Sequence, residues 1–296
     1  MLHTKPPLHS VDKEAIGNMN HQNKEAQSLT ITVHKALAGD LIHISTPCQR
    51  SVLIDCGYHK GDEIRDDILN LHDSIHAIIL THQHLDHFAT AAKFICGSRV
   101  SPQILHSGVA YPAGHIPRTG LSTCPHYDGL EQSLWLQYSS VVQDANRWQS
   151  VKGLRDVRIY NALGSKQYPD PTDDTYHALN RTATPVMIEY GPHRILIGSD
   201  IEGDQLAEVA AMSDRPATLF VGSSHGRPSH NPDHALSRLD PRYICLTDSF
   251  DGSDFTSHFR HSRPDSDVRS VNIDGTQRYT MFADGAITRQ SLAVPA

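Results

Sequence analysis

The sequence predicts an α/β protein built as a four-layer sandwich, with two sheets packed face to face and helices outside. Three observations carry that expectation. Apolar strand patterns alternate with amphipathic helix patterns in both halves of the 296-residue chain. Both halves follow one plan: strands, then a loop bearing acids or histidines, then a helix. Residues 81–87, THQHLDH, crowd three histidines and an aspartate directly behind the apolar run Ala77-Ile78-Ile79-Leu80. Functional loops of α/β sheets lie beyond the carboxyl ends of their strands.

Residues 1–27 are polar, show no sustained period and read as a loose leader, so one domain is expected over 28–296. LTITVHKA (29–36) and DLIHIST (40–46) alternate apolar and polar residues as half-buried strands do, and SVLIDCG (51–57) is a third strand closed by glycine. EIRDDILNLH (63–72) places Ile64, Ile68 and Leu71 on one face of a helix. HAIIL (76–80) returns as a buried strand. The stretch from about 98 to 175 reads as a long insertion, because residues 106–129 are rich in Gly, Pro and His; within it, residues 130–148 read as a helix. Loops of that length inside a compact domain tend to be functional. TPVMIEYGPHRILIGSD (184–200) is two strands turning at Gly191-Pro192, and GDQLAEVAAM (203–212) is a helix with Leu206, Val209 and Ala210 on one side. ATLFVG (217–222) and RYICLT (242–247) are strands, and RYTMFADGAITRQ (278–290) is a hairpin turning at Asp284-Gly285.

Composition bounds the function. The chain is 38% hydrophobic and 20% charged, an ordinary globular balance. A net charge of −7 argues against a broad basic face gripping long nucleic acid. A small anionic substrate stays open, because a bound dication reverses the local field. The five cysteines (Cys48, Cys56, Cys96, Cys124, Cys245) form no CxxC pair, which suggests a reducing compartment. No apolar stretch reaches membrane-spanning length. The expectation is a cytoplasmic protein with no membrane contact.

His82, His84, Asp86 and His87 form HxHxDH. In extended or loop backbone, residues two apart point the same way, so His82 and His84 can converge on one ion. Asp86 and His87 turn toward a second position. Imidazole with some carboxylate suits Zn, Mn or Fe. A surface histidine cluster is the plainer reading in a chain with 21 histidines, but four ligand-type residues at this spacing behind a buried strand argue against it.

With these residues in view, the chain resembles the metallo-β-lactamase superfamily, whose motif is HxHxDH after an apolar strand. More narrowly it resembles the metallo-hydrolase domain of the ComEC competence proteins, over roughly residues 29–290. Gly39-Asp40-Leu41-Ile42 and Leu53-Ile54-Asp55-Cys56-Gly57 match that domain's opening, IGSDIEG (197–203) its later acid, and VGSSHGRPSH (221–230) its HG loop. The resemblance implies the metallo-β-lactamase αβ/βα four-layer sandwich and two divalent metal ions, Zn or Mn. It implies His82 and His84 on the first ion, Asp86, His87 and His225 on the second, and Asp200 bridging both. A water shared by the two ions would lose a proton near neutral pH and become the nucleophile, with Asp86 orienting it. Asp55 is expected to steady a ligand histidine, or else is an ordinary strand-end turn residue.

Two departures accompany the match. A histidine that most of the superfamily carries before the bridging acid falls at Asn180 here, with His177 nearby as a substitute or a solvated loop residue. A histidine pair before the glycine is Ser224-His225. His258 and His261 fall where the subfamily has a histidine near substrate, so that one, His261 foremost, is a candidate general acid. Arg260 and Arg263 are candidates to hold an anionic group, against the plainer reading of a polar loop.

The resemblance leans toward a phosphodiesterase or nuclease acting on a small anionic ester or short nucleic acid. Two alternatives stand beside it. One is hydrolysis of a carbon ester, lactone or thioester at the same site. The other is a degenerate metal-binding module that works through a protein partner. Oligomeric state is not legible.

Overall fold

The computed structural model describes residues 28–36, 39–57, 63–72, 74–82, 84–106, 151–161, 180–247 and 255–292. The leader at 1–27, the helix expected at 130–148 and His177 lie outside the described residues.

Two sheets form. The first has seven strands in the order β13-β12-β1-β2-β3-β4-β5. Its members are β1 (Ser28–Val33), β2 (Ile42–Ser45), β3 (Ser51–Ile54), β4 (Ile75–Leu80), β5 (Gln103–His106), β12 (Thr276–Phe282) and β13 (Ile287–Leu292). The second has six, in the order β11-β10-β9-β8-β7-β6. They are β6 (Val157–Asn161), β7 (Val186–Tyr190), β8 (His193–Ile197), β9 (Leu219–Val221), β10 (Tyr243–Leu246) and β11 (Asp267–Ser270).

Three apolar clusters define the layers. Leu29, Ile31, Ile44, Ile54, Ile188, Ile197, Val221 and Tyr279 belong to one buried cluster contributed by both sheets. Leu53, Ile68, Ile78 and Phe94 cluster on the outer face of the first sheet, under helices Glu63–Leu71 and Ala91–Gly97. Leu206, Phe220, Leu236 and Phe259 do the same for the second, under helices Gly203–Ala211, Asp233–Leu239 and Thr256–Ser262. This is the four-layer αβ/βα sandwich of the metallo-β-lactamase fold.

The strands β3, β4 and β5 run parallel, as do β8 through β11. Strands covered by helices on one face and a sheet on the other read as continuous apolar runs, which explains AIIL in β4 and ICL in β10. All these strands end at one edge of the sandwich. The loops after β3, β4, β8, β9 and β10 open there, and they carry Asp55, His82–His87, Asp200, His225 and Thr247.

Three details differ from expectation. The strands β5 and β6 lie inside the stretch read as an insertion; both are edge strands of only four and five residues, too short to announce themselves by pattern. The hairpin β12–β13 does not stay with the second half. It crosses to the first sheet and pairs antiparallel with β1, burying Tyr279 and Met281 between the sheets. Leu71, expected on the buried helix face with Ile68, ends its helix and is 63% exposed. Among the described residues no helix is long and apolar enough to cross a membrane, and Cys48, Cys56, Cys96 and Cys245 are free thiols.

Candidate metal centre

The loop after β4 enters a short helix, Leu85–Phe88, which carries Asp86 and His87 and brings the His87 ring to 4.2 Å from that of His82. The preceding loop clamps it in place. Cys56 N donates to the His87 carbonyl at 2.6 Å, and the Thr90 hydroxyl donates to the carbonyls of Cys56 and Gly57. Gly39 sits so close to this turn that a Cβ there would lie 1.6 Å from the Asp86 carbonyl oxygen. Only glycine fits, and its φ of 76° removes any doubt about substitution.

Asp200 faces all four histidines of the constellation. Its Oδ1 lies 3.3 Å from His87 Nε2 and 3.6 Å from His225 Nε2. Its Oδ2 lies 3.7 Å from His82 Nε2 and 3.9 Å from His84 Nδ1. His82 Nε2 and His84 Nδ1 are themselves 2.8 Å apart. Asp86 Oδ2 lies 3.4 Å from His225 Nε2. Two sets of ligand atoms close enough to hold an ion therefore share His87: one with His82 and Asp200, the other with Asp86 and His225.

Carboxylates stand behind two of the imidazoles. Asp55 Oδ2 lies 2.7 Å from His87 Nδ1, and both of its oxygens also accept from Thr81, from the amide at 2.8 Å and the hydroxyl at 2.7 Å. Asp40 Oδ1 lies 3.2 Å from His225 Nδ1, as does the Thr247 hydroxyl. A carboxylate on Nδ1 fixes the tautomer and directs Nε2 forward. Asp40, Asp55 and His87 also lie within range of one ion, but Asp55 already spends its oxygens on Thr81 and His87, which makes it a supporting group.

The atoms left over point to a cation. His87 Nε2, His225 Nε2 and Asp200 Oδ1 are buried without a hydrogen-bond partner. Such groups are costly unless something pairs with them. Imidazole nitrogens and a carboxylate converging in a buried space fit a divalent ion.

Electrostatics divides the cluster. Burial lowers His82 well below the usual imidazole value, and nearby His87 and His84 push the same way. Burial also brings His84 down to about 4. For His87 and His225 burial works in the same direction, yet Asp200 with Asp55 and Asp86, and Asp200 with Asp40 and Asp86, outweigh it and hold both well above 6.5. Burial opposes ionisation of Asp86 and Asp200, but His87 and His225 hold both carboxyls below their ordinary range. Backbone strain gathers here too: of the seven described non-glycine residues with positive φ, Asp55, Ser199, Ser224 and His225 are in these loops.

The remaining expected residues separate. Asn180 is buried, and its Oδ1 has no hydrogen-bond partner. Just past it, Thr184 N donates to the Thr81 carbonyl, so this segment runs beside the His82 loop. Arg263 is not brought to the cluster. It caps the C-terminal end of helix Thr256–Ser262, pairs with Asp240 and stands just before β11, at the opposite edge of the sandwich. The helix runs antiparallel to the strands and carries its last turn away. Arg260 and His261 lie on its exposed side. His258 Nε2 is 3.2 Å from the Asn231 carbonyl. Sequence reasoning assigned no role to Asp40 or Thr247; the Gly39-Asp40 pair was the available signal for the first.

The comparisons with known proteins agree with this fold. The family model described as the metallo-beta-lactamase superfamily matches residues 44–128, a stretch that includes HxHxDH but ends before Asp200 and His225. Among solved structures, the fold is similar to the metallo-beta-lactamase fold protein YhfI from Bacillus subtilis, at 12% identity and TM-score 0.50 over 88% of this chain and 100% of that one. A Parabacteroides distasonis protein provisionally described as a metal-dependent hydrolase aligns at 13% identity and TM-score 0.50, over 82% of this chain and 92% of that one. An E377D mutant of CmlA beta-hydroxylase aligns at 15% identity and TM-score 0.50, over 86% of this chain and 54% of that one. No curated protein matches the chain by sequence. The family model thus covers less than a third of the chain, and the solved structures share its fold. The neighbours carry different reaction names, so the fold alone does not fix the chemistry.

Proposed function

We propose that the chain is a metal-dependent hydrolase of phosphodiesters, acting on a small anionic ester or a short nucleic acid. The observation that carries this is the position of Asp200, with one oxygen toward His87 and His225 and the other toward His82 and His84. A carboxylate so placed suits two cations side by side. His82 and His84 would hold one; Asp86, His87 and His225 would hold the other. When bound, two divalent ions stabilise the attacking and leaving oxygens of an in-line displacement at phosphorus.

The chain's own residues do the rest. Asp55 and Asp40 keep His87 and His225 in the tautomer that presents Nε2. Asp86 is the most exposed carboxylate of the group, at 13% of its side chain, and would orient the attacking water. The burial of His82, His84 and His87 keeps bulk solvent from the opposite side.

A second reading, hydrolysis of a carbon ester at the same residues, gains from the placement of Arg263. Arg260 and Arg263 weighed against this reading, and Arg263 lies at the far edge. The test runs an activated phosphodiester, short single-stranded DNA and an activated carbon ester with the unaltered chain and with Asp86→Ala, in Mn and in Zn. Metal-dependent cleavage of a phosphorus ester, lost in the variant, is the expected result. Cleavage of the carbon ester alone transfers the assignment to the second reading. No turnover in folded, metal-loaded protein overturns both.

A further inference from the structure

A groove of about 330 Å³ lies on the outward face of the first sheet, where β13, β12, β1 and β2 run side by side beyond the end of helix Glu63–Leu71. It is separate from the metal centre, which lies past the carboxyl ends of β3 and β4. Strand register builds it. Leu29, Ile31, Ile44, Tyr279 and Met281 point between the sheets, so their alternating neighbours face outward. Thr32 stands opposite Arg278 on one side and His43 on the other. Thr30 stands opposite Thr280 and Ser45, and Arg278 opposite Gln290. Directly opposed side chains are within reach of one another.

Two features set this apart from an ordinary wet sheet face. The floor is withdrawn from solvent: Thr32 and His43 are each only 3% exposed. The charge is one-sided. Among the described residues no Asp or Glu lines the groove, and none has a carboxylate at ion-pair distance from Arg278. Its Nε is buried without a hydrogen-bond partner. A guanidinium partly withdrawn from water, with hydroxyls and amides around it and no anion, is a costly arrangement unless an anion comes to it.

We propose that the groove binds a small phosphate-bearing anion, with the Arg278 guanidinium as the charged contact and the Thr30–Thr280 hydroxyls as further donors. A forked guanidinium meets two oxygens of such a group at once. Leu71 at the rim would cover an apolar part of the ligand. The volume admits a phosphorylated small molecule.

Calorimetric titration of the full chain with inorganic phosphate and with glycerol 3-phosphate, at constant ionic strength and against chloride, tests this. Saturable binding is expected, weakened about tenfold or more by Arg278→Gln, weakened less by Arg278→Lys and unchanged by Asp200→Ala. Metal-dependent turnover in Arg278→Gln is expected to match the unaltered chain. Should Arg278→Gln not fold, Thr280→Val takes its place, with a smaller loss expected. Absence of saturable binding, equal binding by the position-278 and position-280 variants, or loss of binding in Asp200→Ala would each overturn the proposal; the last would put the anion at the metal centre.

Discussion

The two proposed ion positions are built differently. His87 and His225 each have a carboxylate on Nδ1, Asp55 at 2.7 Å and Asp40 at 3.2 Å. His82 has only the Thr81 hydroxyl at 3.1 Å. Carboxylate backing makes an imidazole a stronger ligand and fixes its direction. The second position is thus preorganised and rich in charge, whereas the first rests on neutral rings. The difference implies an order of filling: the Asp86-His87-His225 position first, the His82-His84 position after it.

The largest effect should come from the residue common to both. Asp200→Ala removes the carboxylate that faces all four imidazoles, so both ions should be lost together. Turnover should fall on the order of 10³-fold or more, as when one member of a cooperating unit is deleted. Metal analysis and rates on the same sample check this. Retention of one tightly held ion would break the bridging assignment.

The next effect separates the two supporting acids. Asp55→Asn should lower metal affinity about 10- to 100-fold, the range for such supporting groups. Asp40→Asn should cost less, because its contact is longer and Thr247 shares it. Competition titration with a chromogenic chelator measures both. Equal losses would mean that the two backings are equivalent.

Much of this centre was legible because the side chains lie on loops directly behind strands, and a strand's apolar run announces where such a loop starts. HxHxDH behind β4, Asp200 behind β8 and His225 behind β9 all follow that rule. The supporting contacts were not legible. Asp40 and His225 are 185 residues apart, and no period or spacing joins them. Arg263 misled for the opposite reason. It is near His258 and His261 in sequence, but seven helical residues carry the chain about 10 Å along the axis, enough to take it to the other edge of the sandwich. The crossing of β12–β13 to the first sheet was likewise hidden, since a hairpin's alternation reports its two strands and not the third strand it joins.

Proton linkage offers a finer contrast. His87 and His225 are held well above 6.5 without an ion. Their stabilising effect on the ion-free fold is complete below about pH 6.5 and fades as pH rises through the raised values. An ion must displace both protons, so the second position should bind more tightly as pH rises. His82 is lowered and His84 sits near 4, so the first position should show little pH dependence above about pH 6.5. Melting curves of loaded and stripped protein between pH 6 and 8.5 are expected to diverge as pH rises. A constant gap would contradict the division.

The smallest expected effect is the most specific. If the first position is weak because Asn180 stands in for an imidazole, Asn180→His should strengthen it about tenfold, or about 1.4 kcal/mol, with the second position unchanged. The site can receive the ring only at a cost: Asn180 is buried, and an imidazole is larger than a carboxamide, so some stability should be lost without metal and recovered with it. The signature is therefore a second ion retained at limiting metal together with a larger metal-induced rise in melting temperature. Gain of the ion without that rise would place the new ligand elsewhere. Loss of stability without gain of the ion would mean that the amide at this position serves packing, and that the first position owes its weakness to the hydroxyl behind His82.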